Sequence, residues 1–238
     1  DPVRWAMCCA AEAVANDASG DSFGILVRGA ARALDVDLSF IGVITDDKTD
    51  VVRSIAVCDR GVMQDNFEYE LKGTPCEHVV GQRFRFHAEG IQALFPDPHV
   101  KEIGGVGYAA IPLFDSRGKA MGLMAIIDRK PLFDRELTEC LLRIFSVRAA
   151  VELERRRAEW ALRQSEESYR SIFEAAEDAL FVCNADTGAI IDVNPKACEV
   201  YGYTREELMR LDIGALNSGV EPYTQQRAVD LLEQARLD

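Results

Sequence analysis

The residues best suited to chemistry cluster in one segment of the chain, between positions 74 and 108. That segment holds all three histidines of the sequence together with one cysteine: Cys76, His78, His87 and His99. Thiol and imidazole groups are the usual nucleophiles, proton carriers and metal ligands of proteins. The segment is therefore the first place to look for a site.

The start of this segment has the pattern of a helix N-terminus. Thr74 is suited to the N-cap, Pro75 to the first turn, and Glu77 to the partner position of a capping box. Cys76 would then lie in the first turn, where backbone dipoles favour a thiolate. The alternative is that Thr74 and Pro75 only begin a helix and that Cys76 packs inward as a small apolar residue.

The same segment also offers the components of a ligand pocket, which usually combines apolar walls with a few polar groups. Arg83, Arg85, His87 and Lys101 are possible polar anchors. Aromatic residues alternate with arginines at 83–87, which is equally typical of an amphipathic strand. The predicted ligand-binding residues are Cys76, His78, Phe86, His87, Phe95 and Tyr108.

The spacing of the cysteine and the histidines argues against a metal centre. It matches no compact ligand pair of the zinc-finger kind, and residues two apart, such as Cys76 and His78, diverge on a helix. We therefore predict no metal and assign no catalytic residue.

The elements around this segment predict an α+β fold. Helical periodicity covers 3–15 and 21–34, with Asp21 and Ser22 as caps of the second helix. Strands are predicted at 38–45, 51–57, 67–71, 108–114 and 120–128, with hairpin turns at 46–50 and 115–118. This order fits an antiparallel sheet with helices on one side.

Four stretches give this domain a family resemblance: 69–81 (YELKGTPCEHVVG), 93–96 (ALFP), 110–115 (AIPLFD) and 118–127. Residues 3–155 resemble a GAF domain of bacterial sensor kinases and cyclic-dinucleotide enzymes. The resemblance implies a small-molecule ligand or a role as a dimeric relay. Some GAF domains attach a bilin to a cysteine that has a histidine beside it, whereas here Glu77 separates Cys76 from His78.

One GAF group reduces free methionine sulfoxide, and this is the enzymatic alternative. Such chemistry needs an attacking thiolate and a resolving thiol. Cys58 and Cys76 are available, although no close cysteine pair is visible. A ligand-free dimerisation scaffold is the third alternative.

A long helix is predicted from residue 134 onward. Apolar residues recur at steps of three and four, although Arg148, Arg155 and Ser165 interrupt this repeat, and residues 152–159 are polar nearly all round. We predict a homodimer that pairs along 134–168. The predicted seam consists of Leu137, Leu141, Ile144, Val151, Ala158, Leu162, Tyr169 and Ile172.

Residues 166–211 carry a second family pattern. Two short strands, 179–183 and 189–193, are followed by Asn194-Pro195, an N-cap and first-turn pair. Thr204 and Glu207 form a capping box. The run D-x-N-P-x-A-C-x-x-x-G-Y-T-x-E-E-L resembles the first half of a PAS sensor domain. A last helix is predicted over 222–236, and the later PAS strands are expected to be missing.

These patterns divide the chain into a GAF-like domain (1–133), a signalling helix (134–168) and a truncated PAS-like domain (169–238). The formal charge of −13 argues against a nucleic-acid partner, and no apolar run is long enough to cross a membrane. Seven scattered cysteines indicate a reducing, cytoplasmic setting. The expected function is the sensory input of a signalling protein, such as a sensor histidine kinase.

Overall fold

A computed structural model describes residues 4–5, 8, 11, 21–45, 48–95 and 98–216, without the side chains at 48–49 and 98–99. The predicted helix over 222–236, most of the helix over 3–15, the turn residues 46–47 and the His99 side chain lie outside the described residues. The chain divides into two compact units, Asp1–Ala158 and Glu159–Asp238.

The first described helix, α1, spans Ser22–Leu34. Its N-terminus is capped by the Asp21 carboxylate, which accepts a hydrogen bond from the backbone N–H of Gly24 at 3.2 Å. Its C-terminus ends at Asp35, which adopts a left-handed conformation. The apolar face predicted by the three-and-four spacing is buried.

A seven-stranded antiparallel sheet forms the centre of the first unit, in the order β3-β2-β1-β7-β6-β5 with β4 beside β2. The central strands β1, β7 and β6 are buried on both faces, which explains their almost continuous apolar sequences. The strands are β1 Leu38–Thr45, β2 Lys48–Asp59, β3 Val62–Met63, β4 Glu68–Glu70, β5 Arg85–His87, β6 Gly107–Phe114 and β7 Ala120–Asp128.

Alternate residues of the central strands enter two separate cores. The helix-side core lies between the sheet, α1 and the first part of a long helix, α4 (Arg135–Ala175), and includes Ile126 and Phe145. The loop-side core lies on the opposite face, under residues 71–105, and includes Tyr108 and Ile127. The loop-side segment contains a 3₁₀ turn, Pro75–His78, and two short helices, α2 (Ile91–Leu94) and α3 (Pro98–Ile103).

Helix α4 corrects the predicted dimer seam. Leu141 is fully buried in the helix-side core, and the predicted seam residues Leu137 and Ile144 are partly buried against it, so these three face the core of their own chain. Val147, which the predicted seam omits, is 65% exposed and lies on the line that continues through the later seam residues. The exposed line, called the α4 seam below, consists of Val147, Val151, Ala158, Leu162, Tyr169 and Ile172.

The second unit continues α4 into a small hairpin and two short helices. β8 (Phe181–Cys183) pairs antiparallel with β9 (Ile190–Val193). Helix α5 (Pro195–Tyr201) and helix α6 (Arg205–Leu208) follow, and then a 3₁₀ turn, Ile213–Leu216. Both strands, the Asn194 cap and the Thr204 capping box form where the sequence predicts them.

Candidate functional site

Cys76 is held on the loop side of the sheet by the 3₁₀ turn, and the predicted capping box is wrong. The Thr74 hydroxyl donates to the carbonyl of Leu71 at 2.7 Å and makes no cap, while the Glu77 carboxylate accepts from the N–H of Gly73 at 2.8 Å. The turn has only four residues, so it lacks the aligned dipoles of a long helix. Cys76 is buried.

Tyr108 of β6 is the direct partner of Cys76. Its hydroxyl donates a hydrogen bond to the Cys76 Sγ at 3.3 Å, and the ring is fully buried. Burial raises the pKa of Tyr108 well above its ordinary value, and the neighbouring Cys76 raises that pKa further. The phenol therefore stays protonated and keeps its donor on the sulfur.

His87 lies near the Tyr108 ring, and Phe95 lies near His87. The centroid of the His87 ring is 6.2 Å from that of Tyr108 and 5.8 Å from that of Phe95. Burial lowers the pKa of His87, and the positive charge of Arg85 lowers it further. At neutral pH His87 is thus a neutral ring in an aromatic row.

A cavity of about 40 Å³ opens next to the Cys76–Tyr108 pair. One wall consists of three aromatic rings from β1 and the β3–β4 region, Phe40, Phe67 and Tyr69, whose centroids are 5.4 to 6.3 Å apart. The sequence analysis missed these rings as pocket residues, although the alternation along 67–71 already placed Phe67 and Tyr69 on one face of a strand. The remaining lining residues are Thr74, Pro75, Val100, Ile103 and Ile127.

The structure does not bring all six predicted ligand-binding residues together. Cys76, His87, Phe95 and Tyr108 share the loop side of the sheet. His78 is exposed at the end of the 3₁₀ turn, and Phe86 packs against the helix-side core on the opposite face.

The two cysteines required by a reductase are separated by the sheet. Cys58 is buried in the helix-side core, whereas Cys76 is buried in the loop-side core. Burial raises the pKa of the Cys58 thiol, which disfavours its thiolate. Cys58 is thus unsuited to resolve a disulfide with Cys76.

Within the described ranges, no three His, Cys, Asp or Glu side chains lie close enough to ligate one ion. None of the described helices combines the length and apolar character of a membrane span.

Asn194 is the most heavily bonded polar side chain of the second unit's turn region, and it is fully buried. Its Oδ1 accepts from the N–H of Leu180 and of Ala197, both at 2.9 Å. Its Nδ2 donates to the carbonyl of Asp178 at 2.9 Å. One amide therefore joins the entry to β8 with the start of α5.

Comparison with known proteins agrees with both halves of this arrangement. Residues 167–235 match the sequence model of the PAS domain family. The GAF domain of a phosphoenolpyruvate-protein phosphotransferase from Acinetobacter superposes with a TM-score of 0.52 at 14% identity, covering 68% of this chain and 98% of that one. The chain joins a GAF fold to a PAS segment. Both resemblances predicted from the sequence are thereby confirmed.

Two other matches are looser or shorter. The chromophore-binding domain of a Stigmatella aurantiaca bacteriophytochrome superposes with a TM-score of 0.47 at 11% identity, over 64% of this chain and 59% of that one, too loosely to carry an argument. A methyl sulfide methyltransferase-associated sensor from Methanosarcina acetivorans is 30% identical over 102 residues. That match spans 43% of this chain and only 10% of the relative's length.

Proposed function

We propose that this chain is the sensory input region of a cytoplasmic signalling protein of the histidine-kinase or cyclic-di-GMP kind. In this proposal the GAF unit binds a small ligand in the cavity beside Cys76 and Tyr108. Helix α4 carries the response towards the PAS segment. The observation that supports this most is α4 itself, a single helix of 41 residues that leaves the GAF sheet and continues into the PAS unit. A relative known as a sensor is also consistent with it.

The proposed response element is a parallel pair of α4 helices from two copies of the chain. Every residue from 158 to 172 is exposed, and a helix that is solvated all round gains little stability by itself. The α4 seam supplies the apolar stripe that a coiled coil requires, at steps of three, four and seven. We propose that this seam forms the homodimer.

The dimer is tested by placing a charge on the seam. Leu162→Lys should weaken self-association at least about tenfold, because a lysine at a core position of a coiled coil must be desolvated. Trp160→Lys is the matched control: Trp160 is 66% exposed and Leu162 is 62% exposed, but Trp160 lies on the opposite side of α4. Sedimentation equilibrium of both variants and the native chain measures the effect.

Two results would count against the pairing. One is a native chain that stays monomeric at every concentration. The other is an equal effect of Leu162→Lys and Trp160→Lys, which would mean that charge on any face of the helix has the same consequence.

The reductase alternative is disfavoured by the separation of Cys58 and Cys76 across the sheet. An assay of free methionine sulfoxide with a thiol donor should therefore show no turnover. Turnover that disappears in Cys76→Ser would reinstate this alternative.

A further inference from the structure

The size of the GAF cavity limits what it can hold. A buried water needs about 10–15 Å³ of such space, so a cavity of about 40 Å³ has room for about three water-sized atoms or groups. Pockets for drug-sized ligands run to about 300–1,000 Å³. The cavity is open on one side, but a cyclic nucleotide, a bilin or a haem exceeds its volume many times over, so most of such a ligand would lie outside it.

The lining of the cavity is also uncharged. Among the described residues that line it, none carries a charged side chain, and most are aromatic or aliphatic. Two of the polar groups in the wall bond within the protein: the Tyr108 hydroxyl donates to Cys76, and the Thr74 hydroxyl donates to the Leu71 carbonyl. The polar groups of the wall are neutral hydroxyls and a thiol, including the Tyr69 hydroxyl, and these replace the hydration of an ion poorly, which makes its burial costly.

The charged residues predicted as anchors lie elsewhere. Arg83 and Lys101 are exposed and do not line the cavity. Arg85 donates from its Nε to the carbonyl of His78 at 3.2 Å, at the surface. These three side chains therefore give the cavity no site for a carboxylate or a phosphate.

We infer that the GAF unit takes a small, uncharged, largely apolar molecule of about three or four heavy atoms. The molecule would lie against the aromatic wall formed by Phe40, Phe67 and Tyr69, with at most one polar group directed at the Cys76–Tyr108 pair. This inference rests on the proposed function that the GAF unit binds a ligand. It narrows that ligand to the class of short neutral organic molecules and apolar gases.

The test adds probes that differ in charge and in size to the intact chain, with acetone and acetate as a pair of matched size. Xenon and acetone should shift the methyl resonances of Ile103 and Ile127 in a saturable way, because both methyl groups face the cavity. Acetate, which has the size of acetone and a full charge, should leave them unchanged. Cyclic AMP serves as the large anionic probe and should also have no effect.

Two substitutions locate the binding. Ile103→Phe fills the cavity and should weaken the binding of xenon and of acetone at least tenfold. The methyl resonances of Ile127 report this binding. Leu94→Phe makes a similar addition on α2 at an exposed position outside the cavity and should change nothing. Phe67→Ala removes one ring of the aromatic wall and so enlarges the cavity. The variant should bind benzene, whereas the native cavity should not. Thermal melts establish that each variant is folded.

The outcomes separate this inference from the proposed function. Binding of acetate or cyclic AMP at these methyl groups would contradict the inference that the ligand is uncharged. It would remain compatible with the proposed function, in which the GAF unit binds a ligand. Equal binding in Ile103→Phe would place the ligand elsewhere and also overturn the inference. If no probe binds but the native chain still dimerises, both the ligand class and the ligand-binding function fail, and the dimerisation scaffold remains.

Discussion

At the scale of single residues, Asn194 connects two backbone segments of the PAS unit through its side-chain hydrogen bonds. Its amide satisfies two backbone N–H groups and one carbonyl in the interior of the PAS unit. Ala197 is fully buried, so water cannot replace the bond to its N–H, whereas Leu180 and Asp178 are exposed residues. A buried group left unpaired costs about 1–3 kcal/mol. The order of the whole PAS turn region thus depends on one side chain.

Asn194→Ala should therefore destabilise the PAS unit by about 2–4 kcal/mol, the sum of a lost N-cap and unpaired backbone groups. Hydrogen exchange of the amides of β8 and α5 measures the loss. Asn184→Ala is the control, since the half-exposed Asn184 also accepts two backbone hydrogen bonds, from Asp186 and Thr187, but in a turn at the surface. Equal losses in the two variants would mean that burial adds nothing.

Glu152 is the second residue considered at this scale, and it carries a buried charge at the point where α4 leaves the GAF core. It is 2% exposed, and its carboxylate accepts hydrogen bonds from Arg155 at 3.0 and 2.9 Å and from Arg156 at 2.7 Å. These two guanidinium groups lower the pKa of Glu152 from 4.5 to about 2. Because the folded pKa lies below the unfolded one, the unfolded chain binds the extra proton as the pH falls.

The stability contributed by Glu152 should be fully present above pH 4.5 and lost as the pH falls towards about 2. Glu152→Gln should lower the free energy of unfolding at pH 7 by about 1–3 kcal/mol and flatten its fall in acid. Urea denaturation between pH 7 and pH 2.5 tests both. Glu167→Gln, which removes an exposed pair with Arg163, should cost about 0.5 kcal/mol or less.

The residues predicted correctly from sequence are those whose signal is local. The Asn194 cap and the Thr204–Glu207 box each act within three residues, so their pattern is visible in the chain. The bond between Tyr108 and Cys76 joins residues 32 positions apart. The sequence predicts both as site residues, but their contact depends on how the 3₁₀ turn packs against β6, which no local pattern specifies.

At the scale of elements, β1 and β7 approach each other closely at two glycines. A Cβ on Gly122 would lie 2.0 Å from the carbonyl oxygen of Gly42 and 2.9 Å from the Cα of Val43. Both atoms belong to the backbone of β1, so the contact cannot be relieved by a rotamer change. The irregularity of the β1–β2 register between Ile41 and Gly42 falls at the same place.

Gly122→Ala should cost about 3 kcal/mol or more in the free energy of unfolding of the GAF unit, because the two strands must separate. Gly61→Ala distinguishes steric contact from backbone strain. Gly61 has a positive φ of 79° and open space around it, so its alanine variant should cost only about 1–2 kcal/mol. Chemical denaturation of both variants gives the comparison, and a smaller cost at Gly122 would contradict the close approach.

Helix α4 shows what periodicity alone leaves undecided about an element. The sequence predicts that a seven-residue repeat runs through Leu141 and Leu162 alike. In the structure Leu141 faces the sheet of its own chain, whereas Leu162 faces solvent. An apolar residue at heptad spacing can pack either in the core of its own chain or against a second helix. Which of the two applies along α4 depends on where the sheet ends.

At the scale of the whole molecule, the cavity and the long helix lie on opposite faces of the same strands. Tyr108 and Ile127 pair across β6 and β7 on the cavity side, and the next pair, Ala109 and Ile126, faces the helix-side core that contains Phe145 of α4. A ligand that shifts this pair of strands must also shift the surface on which α4 packs. It changes the helix only to the extent that it binds one arrangement better than the other.

If the proposed dimer forms, the hydrogen-exchange protection of α4 should depend on dimerisation only in the second half of the helix. Residues 141–153 include Leu141, Leu142, Phe145, Ala149 and Leu153, all buried in the helix-side core, so their amides should exchange slowly at any protein concentration. Residues 158–172 are exposed in the single chain, and in the proposed homodimer the partner helix would cover their apolar stripe. Their protection should therefore rise with protein concentration across the dimerisation range measured by sedimentation.

Hydrogen exchange at two concentrations, one below and one above that range, measures this difference. Leu162→Lys should hold residues 158–172 in fast exchange at both concentrations, whereas Trp160→Lys should behave like the native chain. Slow exchange over 158–172 that is independent of concentration would show that the helix is stable without a partner. In that case α4 would transmit its signal as a single rigid rod, and the α4 seam would have to be covered within one chain.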